Sequence, residues 1–332
     1  MTDFTASRRD ALGLLGAGAA CAMLPRMAFA RTGAGAPLAL GYQNTSWGVI
    51  GMIAEAEGIF KQVGANVTIY RFDGGKTTRD AMVAGRVDIG TFGSTPYIVG
   101  ASKGEIVAIG MAMYAGRTLA VVAGAKSGIT DVAQLKGKKV GTQIGSTTDA
   151  IFQNKILPSF GLTSADITPV NIGFPNHVAA LAAGSIDAFA GVEPYTALVE
   201  VTGIGKTIID YSKYDITPVL LTATLSALEQ KREAIVGFMR GWLKAIDVLK
   251  NDQPKTIKII QENFKGQGFE VSEEAVKLLL SKVDVTPDFM PELTTYLTKE
   301  AEILMAKKQI SAIPDWNTRL DTTLLADARK SA

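Results

Sequence analysis

Short apolar runs alternate with amphipathic stretches along the first half of the chain. The run at 38–42 predicts a strand, and apolar positions at helical spacing from 53 to 60 predict a helix that Gly64 ends. The alternation continues through predicted strands at 66–72, 87–90, 105–113 and 119–123. Strands that alternate with helices are typical of a parallel sheet, so the pattern predicts an α/β fold.

A second unit with a similar order of elements begins near Asp131. Its predicted strands lie at 139–141, 167–171, 186–192 and 218–224. From Leu228 onward the apolar positions keep a period near 3.6, which predicts helices divided by Pro254, Pro287 and Pro291.

The two units share a short repeated motif, here called the sequence echo, where a predicted helix is followed by a predicted strand. Segment 84–90 reads Ala-Gly-Arg-Val-Asp-Ile-Gly, and segment 183–189 reads Ala-Gly-Ser-Ile-Asp-Ala-Phe. This echo, within a matching order of elements, predicts an internal duplication with two similar lobes and a cleft between them. Because Asp88 and Asp187 occupy equivalent places in it, we expect them to make structural hydrogen bonds rather than to form a catalytic pair.

The first 30 residues have the pattern of an export signal. Arg8 and Arg9 precede a short apolar stretch at 11–24, and Ala28-Phe29-Ala30 has the form of a cleavage site. The stretch is too short and too rich in Gly and Ala for a bilayer span. We expect a twin-arginine-type signal peptide at 1–30, a linker at 31–36 and a mature protein exported to the periplasm, with the general secretory route left open.

Composition excludes several classes of function. The net charge of +2 over 332 residues, without a basic tract, argues against nucleic acid as a partner. Cys21 is the one cysteine and lies in the predicted signal, and His177 is the one histidine, so neither thiolate chemistry nor a metal site is expected. Gly93-Ser94 does not form a nucleophile elbow, and no phosphate-binding Gly-Lys-Ser/Thr motif is present. We therefore expect no enzyme and no cofactor.

Four polar loops, at 42–47, 91–95, 145–149 and 174–177, follow predicted strands and precede predicted helices. Ligands of open α/β sheets bind at this edge, where helix N-termini offer free N–H groups to an anion. For any single loop, ordinary helix capping is the alternative. The candidate ligand-binding residues of these loops are Gln43, Asn44, Ser46, Trp47, Gly93, Ser94, Thr95, Ser146, Thr147, Thr148 and Asn176.

Glu193 is the strongest single candidate for ligand contact. A predicted strand of small and apolar residues leads to it at the expected cleft. We expect its carboxylate to meet a ligand ammonium or to hold Arg117 from the opposite lobe; a solvated turn is the alternative. Tyr114 and Tyr195 are candidates for the walls of the site. His177 opens a predicted helix and is expected to cap or to pack.

Several motifs, taken in order, resemble the periplasmic substrate-binding proteins of nitrate/sulfonate/taurine-type ABC transporters. They are Tyr42-Gln43, Phe72-Asp73-Gly74-Gly75, Val87-Asp88-Ile89-Gly90, Gly93-Ser94-Thr95-Pro96, Leu135-Lys136-Gly137-Lys138-Lys139-Val140, Gly145-Ser146-Thr147, Ile186-Asp187-Ala188 and Glu193-Pro194-Tyr195. The resemblance implies a type II periplasmic-binding-protein fold, with two α/β lobes joined by two crossover segments and a ligand cleft between them. The first lobe would comprise 37–120 and 222–332, and the second 121–221.

The resemblance also implies a function. The chain would be a monomeric solute receptor of an ABC importer that closes on a small organic anion or zwitterion and presents it to a membrane permease. Taurine or an alkanesulfonate fits best, with the sulfonate at helix N-termini and an ammonium on Glu193. Two alternatives stay open: the same role for an aromatic carboxylate, nitrate or a nitrogen heterocycle, and an exported hydrolase or lyase.

Overall fold

In the computed structural model, which describes residue 33 and residues 35–330, the strands form two mixed β-sheets. The predicted signal peptide lies outside the described residues. The strands are β1 (Leu38–Gln43), β2 (Val67–Phe72), β3 (Ile89–Gly93), β4 (Ile106–Tyr114), β5 (Leu119–Gly124), β6 (Lys139–Thr142), β7 (Thr168–Asn171), β8 (Ala188–Val192), β9 (Gly205–Asp210), β10 (Pro218–Thr224) and β11 (Asp284–Val285).

The two sheets have equivalent strand orders. The first is β11-β4-β10-β3-β1-β2 and the second is β7-β6-β8-β5-β9. In each, a first strand (β1 or β6) lies parallel between two others. In each, one strand (β10 or β5) runs antiparallel to both of its neighbours. The prediction of a parallel sheet was therefore wrong at these strands, because each enters its sheet directly after the chain has crossed from the other sheet.

The chain changes sheet twice, between β4 and β5 and between β9 and β10. We call the part built on the first sheet, 35–114 and 218–330, the first lobe, and the part at 119–210 the second lobe. The crossover segments are 115–118 and 211–217. The boundaries drawn from sequence lay at 120 and 222, whereas β10 begins at Pro218 and pairs with the first sheet.

Helices cover the sheets and form most of the C-terminal third. They are α1 (Val49–Ala56), α2 (Ile59–Gln62), α3 (Gly75–Val83), α4 (Ser94–Ser102), α5 (Thr147–Ile151), α6 (Leu157–Ser159), α7 (His177–Ala182), α8 (Tyr195–Val201), α9 (Leu225–Asn251), α10 (Gln253–Lys265), α11 (Glu273–Lys282), α12 (Leu293–Ala306), α13 (Trp316–Arg319) and α14 (Thr323–Lys330). A π-helical turn, Phe152–Ile156, joins α5 to α6. Helix α8 and strand β9 were not predicted.

The periodic apolar positions of α9 face the core, as predicted. Phe238 and Trp242 are fully buried, and the Phe238 ring stacks on that of Phe60 in α2 with centroids 4.9 Å apart. The opposite face of α9 carries charged residues, which explains the amphipathic pattern. Among the helices at 35–330, none has the length and apolarity that crossing a bilayer requires.

The duplicated turns are built alike. Gly85 and Gly184 have φ of 70° and 68°, a left-handed conformation that ends the preceding helix. The carboxylate of Asp88 accepts a hydrogen bond from the Ala39 amide at 2.9 Å, and that of Asp187 accepts one from the Lys139 amide at 2.8 Å. Each aspartate thus ties its turn to the first parallel strand of its own sheet. The prediction of a structural role for both is confirmed.

Candidate ligand-binding site

The polar loops after the strands of the two lobes meet directly. The Ser46 amide donates to the carbonyl oxygen of Glu193 at 2.9 Å, and the Thr95 amide donates to the Thr147 hydroxyl at 3.1 Å. The Tyr195 hydroxyl donates to the Asn44 carbonyl oxygen at 3.2 Å. These bonds join the loops after β1 and β3 to those after β6 and β8, so the lobes are closed on each other.

Two glycines make this close approach possible. A Cβ at Gly93 would lie 2.6 Å from the Thr147 hydroxyl oxygen and 3.0 Å from a ring carbon of Trp47. A Cβ at Gly74 would collide with the Gln143 side-chain oxygen of the second lobe. A side chain at Gly93 would therefore press the lobes apart, and one at Gly74 would require the Gln143 side chain to move.

Polar side-chain atoms without a hydrogen-bond partner collect on both sides of this contact. Among the described residues, buried atoms of this kind in the first lobe include the Asn44 side-chain oxygen and the Ser46 and Thr91 hydroxyls. In the second lobe they include the Gln143 side-chain oxygen and the Thr148 hydroxyl. An unpaired buried polar group costs about 1–3 kcal/mol, so this group of atoms is the candidate contact surface for a polar ligand.

Helix N-termini adjoin these groups. Helix α4 begins at Ser94 and shows no side-chain cap. The Thr95 amide is already bonded to Thr147 and Pro96 has no amide hydrogen, so of the first three residues only Ser94 has an amide that can serve a ligand. The Ser146 hydroxyl, in contrast, accepts from the Asp149 amide at 3.1 Å as an ordinary N-cap of α5. The buried Asp149 carboxylate accepts from the Gly145 amide at 3.1 Å and the Thr142 hydroxyl at 3.1 Å, which fixes the loop.

Glu193 has other partners than those expected. One carboxylate oxygen lies 2.5 Å from the Lys282 ammonium of α11, and the other accepts from the Ala197 amide at 3.0 Å. The Glu193 side chain is 1 % exposed, whereas Arg117 is exposed in the crossover turn. The expected pairing of Glu193 with Arg117 is wrong, because a lysine 89 residues further along the chain reaches the carboxylate from a packed helix.

Three further predicted site residues, Trp47, Gln43 and Tyr114, differ in their burial and in their contacts. The Trp47 ring is buried, and its indole N–H donates to the Thr118 hydroxyl at 3.0 Å. The Gln43 side chain is buried and donates to the Thr91 carbonyl oxygen at 2.9 Å. Tyr114 is half-buried at the end of β4, where burial and then the charges of Asp284 and Glu292 raise its pKa.

The loop at 174–177 differs from the other three. Asn176 is exposed in a short 3₁₀ turn, and His177 is buried between the rings of Phe174 and Phe189, with centroids 5.6 Å and 4.8 Å away. Burial lowers the His177 pKa to about 4, so the ring is neutral at pH 7. The prediction that His177 packs is confirmed.

Sequence reasoning missed the lysines at the interlobe contact. Lys282 and Lys155 each bring an ammonium from a helix to carboxylates on another element. Their helices were predicted from apolar periodicity, which carries no information about the distant carboxylates that the charged positions meet.

Two mixed α/β sheets linked by two crossovers, with a polar contact at the strand ends, define this chain as a periplasmic-binding-protein fold. It is similar to the alkanesulfonate-binding protein SsuA from Xanthomonas axonopodis pv. citri bound to MOPS, with a TM-score of 0.76 and 20% identity over 86% of this chain and 98% of that chain. It is also similar to the periplasmic nitrate-binding protein NrtA from Synechocystis PCC 6803, with a TM-score of 0.69 and 14% identity over 89% and 88%. These likenesses confirm the expected fold.

The chain belongs to the NMT1/THI5-like family, whose model matches residues 49–256. A curated relative, the "Putative aliphatic sulfonates-binding protein" of Escherichia coli (strain K12), is 24% identical over 226 residues, which span 67% of this chain and 70% of the relative. The suspected resemblance to binding proteins of this kind is thereby confirmed.

Proposed function

We propose that this chain is the exported receptor of an ABC importer and binds a small organic anion, an alkanesulfonate or taurine, between its two lobes. The fold, the family and the names of the relatives support the receptor role. The export signal predicted at 1–30 supports delivery outside the cytoplasm, where a membrane permease would be the partner.

The set of buried unpartnered hydroxyls on both lobes is the observation that carries the proposal. A sulfonate offers three acceptor oxygens and one delocalised charge, which suit hydroxyl donors and the Ser94 amide at the N-terminus of α4. Because Ser46 and Thr91 belong to the first lobe and Thr148 to the second, a ligand bonded to all three is held completely only when the lobes are closed. Binding therefore shifts the population toward the closed form.

The state of Glu193 favours an alkanesulfonate over taurine. Its two carboxylate oxygens are engaged by Lys282 and by the Ala197 amide. An ammonium would have to displace Lys282 from a buried ion pair, which is costly. A ligand without an amine needs no such exchange.

A ligand screen tests the proposal. Thermal shift and calorimetry on the full chain would compare ethanesulfonate, taurine, nitrate and an aromatic carboxylate. A ligand at a hundred times its dissociation constant stabilises the folded state by ~2.7 kcal/mol, which is readily seen. We expect ethanesulfonate to bind more tightly than taurine, and nitrate and the carboxylate to bind weakly.

A pair of isosteric variants locates the site. Thr148→Val removes a buried hydroxyl at the lobe contact and should weaken ethanesulfonate binding about tenfold or more. Thr256→Val removes a buried, equally unpartnered hydroxyl in α10 and should leave affinity unchanged. Equal effects of the two substitutions, or no sulfonate binding at all, would overturn the proposal.

A further inference from the structure

A cluster of charged and hydroxyl side chains bridges the lobes beside the candidate site. Lys155 stands in the π-helical turn of the second lobe, and Asp215 lies in the crossover segment 211–217. Tyr296 and Glu300 belong to α12 of the first lobe. The four residues are brought together by the fold from three separate parts of the chain.

Lys155 is the centre of this cluster. Its ammonium contacts a carboxylate oxygen of Asp215, lies 2.6 Å from Glu300 Oε1 and stands 5.3 Å from the centroid of the Tyr296 ring. The Lys155 side chain is 25 % exposed, whereas those of Asp215 and Glu300 are 0 % and 7 % exposed. A cation from one lobe thus enters a buried acidic socket formed by the crossover segment 211–217 and by α12 of the other lobe.

The socket is held without the help of Lys155. One Asp215 carboxylate oxygen accepts from the Thr217 amide at 2.6 Å, from the Thr217 hydroxyl at 2.8 Å and from the Tyr296 hydroxyl at 2.9 Å. Thr217 itself has φ of 49°, a strained conformation for a β-branched residue, and these bonds to Asp215 hold it. The socket is therefore a built feature of the crossover and of α12, into which Lys155 fits.

The helix of the second lobe is adapted to this contact. The π-helical turn Phe152–Ile156 interrupts the α-helical hydrogen bonding at Lys155, a feature common at functional sites. In the same turn the Asn154 side-chain oxygen accepts from the Lys307 ammonium, which follows α12. Two side chains of one turn thus hold the same region of the first lobe.

The cluster also reaches the candidate ligand site. The Tyr296 hydroxyl lies 3.4 Å from the hydroxyl of Ser94, the first residue of α4. The next amide, that of Thr95, donates across the lobe contact to Thr147. A continuous chain of polar contacts therefore runs from Lys155 through Tyr296 to the N-terminus of α4.

Charge explains why Lys155 matters to closure. Two buried carboxylates share one socket, and withdrawal of the ammonium would leave both of them uncompensated. Burial opposes the charge of Lys155, but the two carboxylates outweigh that effect and raise the pKa of the lysine. Separation of the lobes at this point is therefore unfavourable as long as Lys155 is charged.

We propose that Lys155, with the socket of Asp215, Tyr296 and Glu300, is a latch that holds the closed lobes together and positions Ser94 at the start of α4. The latch sets how long a ligand stays between the lobes without touching the ligand itself. This inference rests on the proposed receptor function.

Hydrogen exchange of the full chain without ligand gives the first test. The Ser46 and Thr95 amides both donate across the lobe contact, so they report on closure. Lys155→Met should speed exchange of these two amides by about tenfold or more, and Lys155→Arg should restore protection. The control is Lys136→Met, which removes an exposed ion pair of the second lobe and should change neither amide.

Ligand kinetics give the second test, with ethanesulfonate as the probe. Lys155→Met should raise the dissociation rate about tenfold and change the association rate far less. Far-ultraviolet circular dichroism checks that Lys155→Met is folded. Lys155→Gln, which removes the charge but keeps a polar side chain, should show the same increase in dissociation rate. Unchanged amide exchange, or an affinity loss confined to the association rate, overturns the latch. If ethanesulfonate fails to bind while exchange still responds to Lys155→Met, the proposed ligand is wrong and the latch stands.

Discussion

The lobes meet through two charged junctions that are built on different principles. Around Glu193, one carboxylate faces one lysine, and the remaining partners are backbone groups of Ser46, Thr118 and Ala197. Around Lys155, one lysine faces two carboxylates. The first junction is balanced in charge, whereas the second carries an excess negative charge. The lysine of each is partly exposed, Lys282 at 18 % and Lys155 at 25 %. The two junctions should therefore lose stability to different degrees, and with different pH dependence, when each loses its lysine.

The largest expected effect comes from breaking the balanced junction. Lys282→Met would leave the Glu193 carboxylate buried without its cation, and we expect the free energy of unfolding to fall by about 3–5 kcal/mol in urea titrations. Adding Glu193→Gln should recover much of the loss, because the uncompensated charge is then gone.

A neighbouring lysine on the same helix supplies the matched control. Lys277 pairs with Glu273 at 2.7 Å on the exposed face of α11. Lys277→Met should cost less than about 0.5 kcal/mol. A Lys282→Met variant no less stable than Lys277→Met would contradict the balanced-junction interpretation.

His177 adds its own pH dependence to the free energy of unfolding, and any comparison of the two junctions in acid must account for it. Because its folded pKa of about 4 lies below the ordinary value of 6.5, the unfolded chain binds its proton first. The stability that the neutral His177 ring contributes is complete above pH 6.5 and is lost as the pH falls. The loss amounts to roughly 3 kcal/mol at pH 4. His177→Leu should flatten the dependence of the unfolding free energy on pH in this window, and an unchanged slope would refute this origin.

The loss of stability caused by removing Lys155 should become smaller as the pH falls, whereas the loss caused by His177 becomes larger. Lys155→Met leaves Asp215 and Glu300 together. Because Asp215 keeps its hydrogen bonds to Thr217 and Tyr296, we expect a loss of about 1–3 kcal/mol at pH 8. Burial raises the pKa of Glu300, and Lys155 opposes that rise. Without the lysine, Glu300 takes up a proton more readily, so the deficit relative to the parent should shrink between pH 8 and pH 5. Urea titrations at the two pH values measure this, and a constant deficit would contradict it.

The two junctions also show what local sequence can and cannot predict. The glycine stops at Gly85 and Gly184, the paired Asp88 and Asp187, and the buried face of α9 follow from residues close together in the chain, and the structure confirms them. These features depend on local conformation and on periodicity, which a single sequence displays.

What the sequence did not predict depends on distant partners. The sequence of β10 predicts a strand, but its own residues do not indicate that it runs antiparallel to β3. Edge strand β9 is half-exposed and mixes Lys206 with isoleucines, so it lacks a clear apolar run. Glu193 was recognised as a special carboxylate, but its pairing with Lys282 was not, because charged positions of a helix do not indicate which partner they meet.

The smallest and sharpest test changes the excess carboxylate alone. Since the pKa of Glu300 is raised, its ionised form costs stability at neutral pH, and this cost disappears as the pH falls toward the unfolded value near 4.3. Glu300→Gln keeps an acceptor for Lys155 and leaves a one-to-one pair with Asp215. We expect the unfolding free energy at pH 7 to stay constant or to rise by up to about 1 kcal/mol, and the difference to vanish near pH 4. A loss of more than about 1 kcal/mol at pH 7 would mean that Lys155 needs both carboxylates. The second junction would then be as tightly compensated as the first.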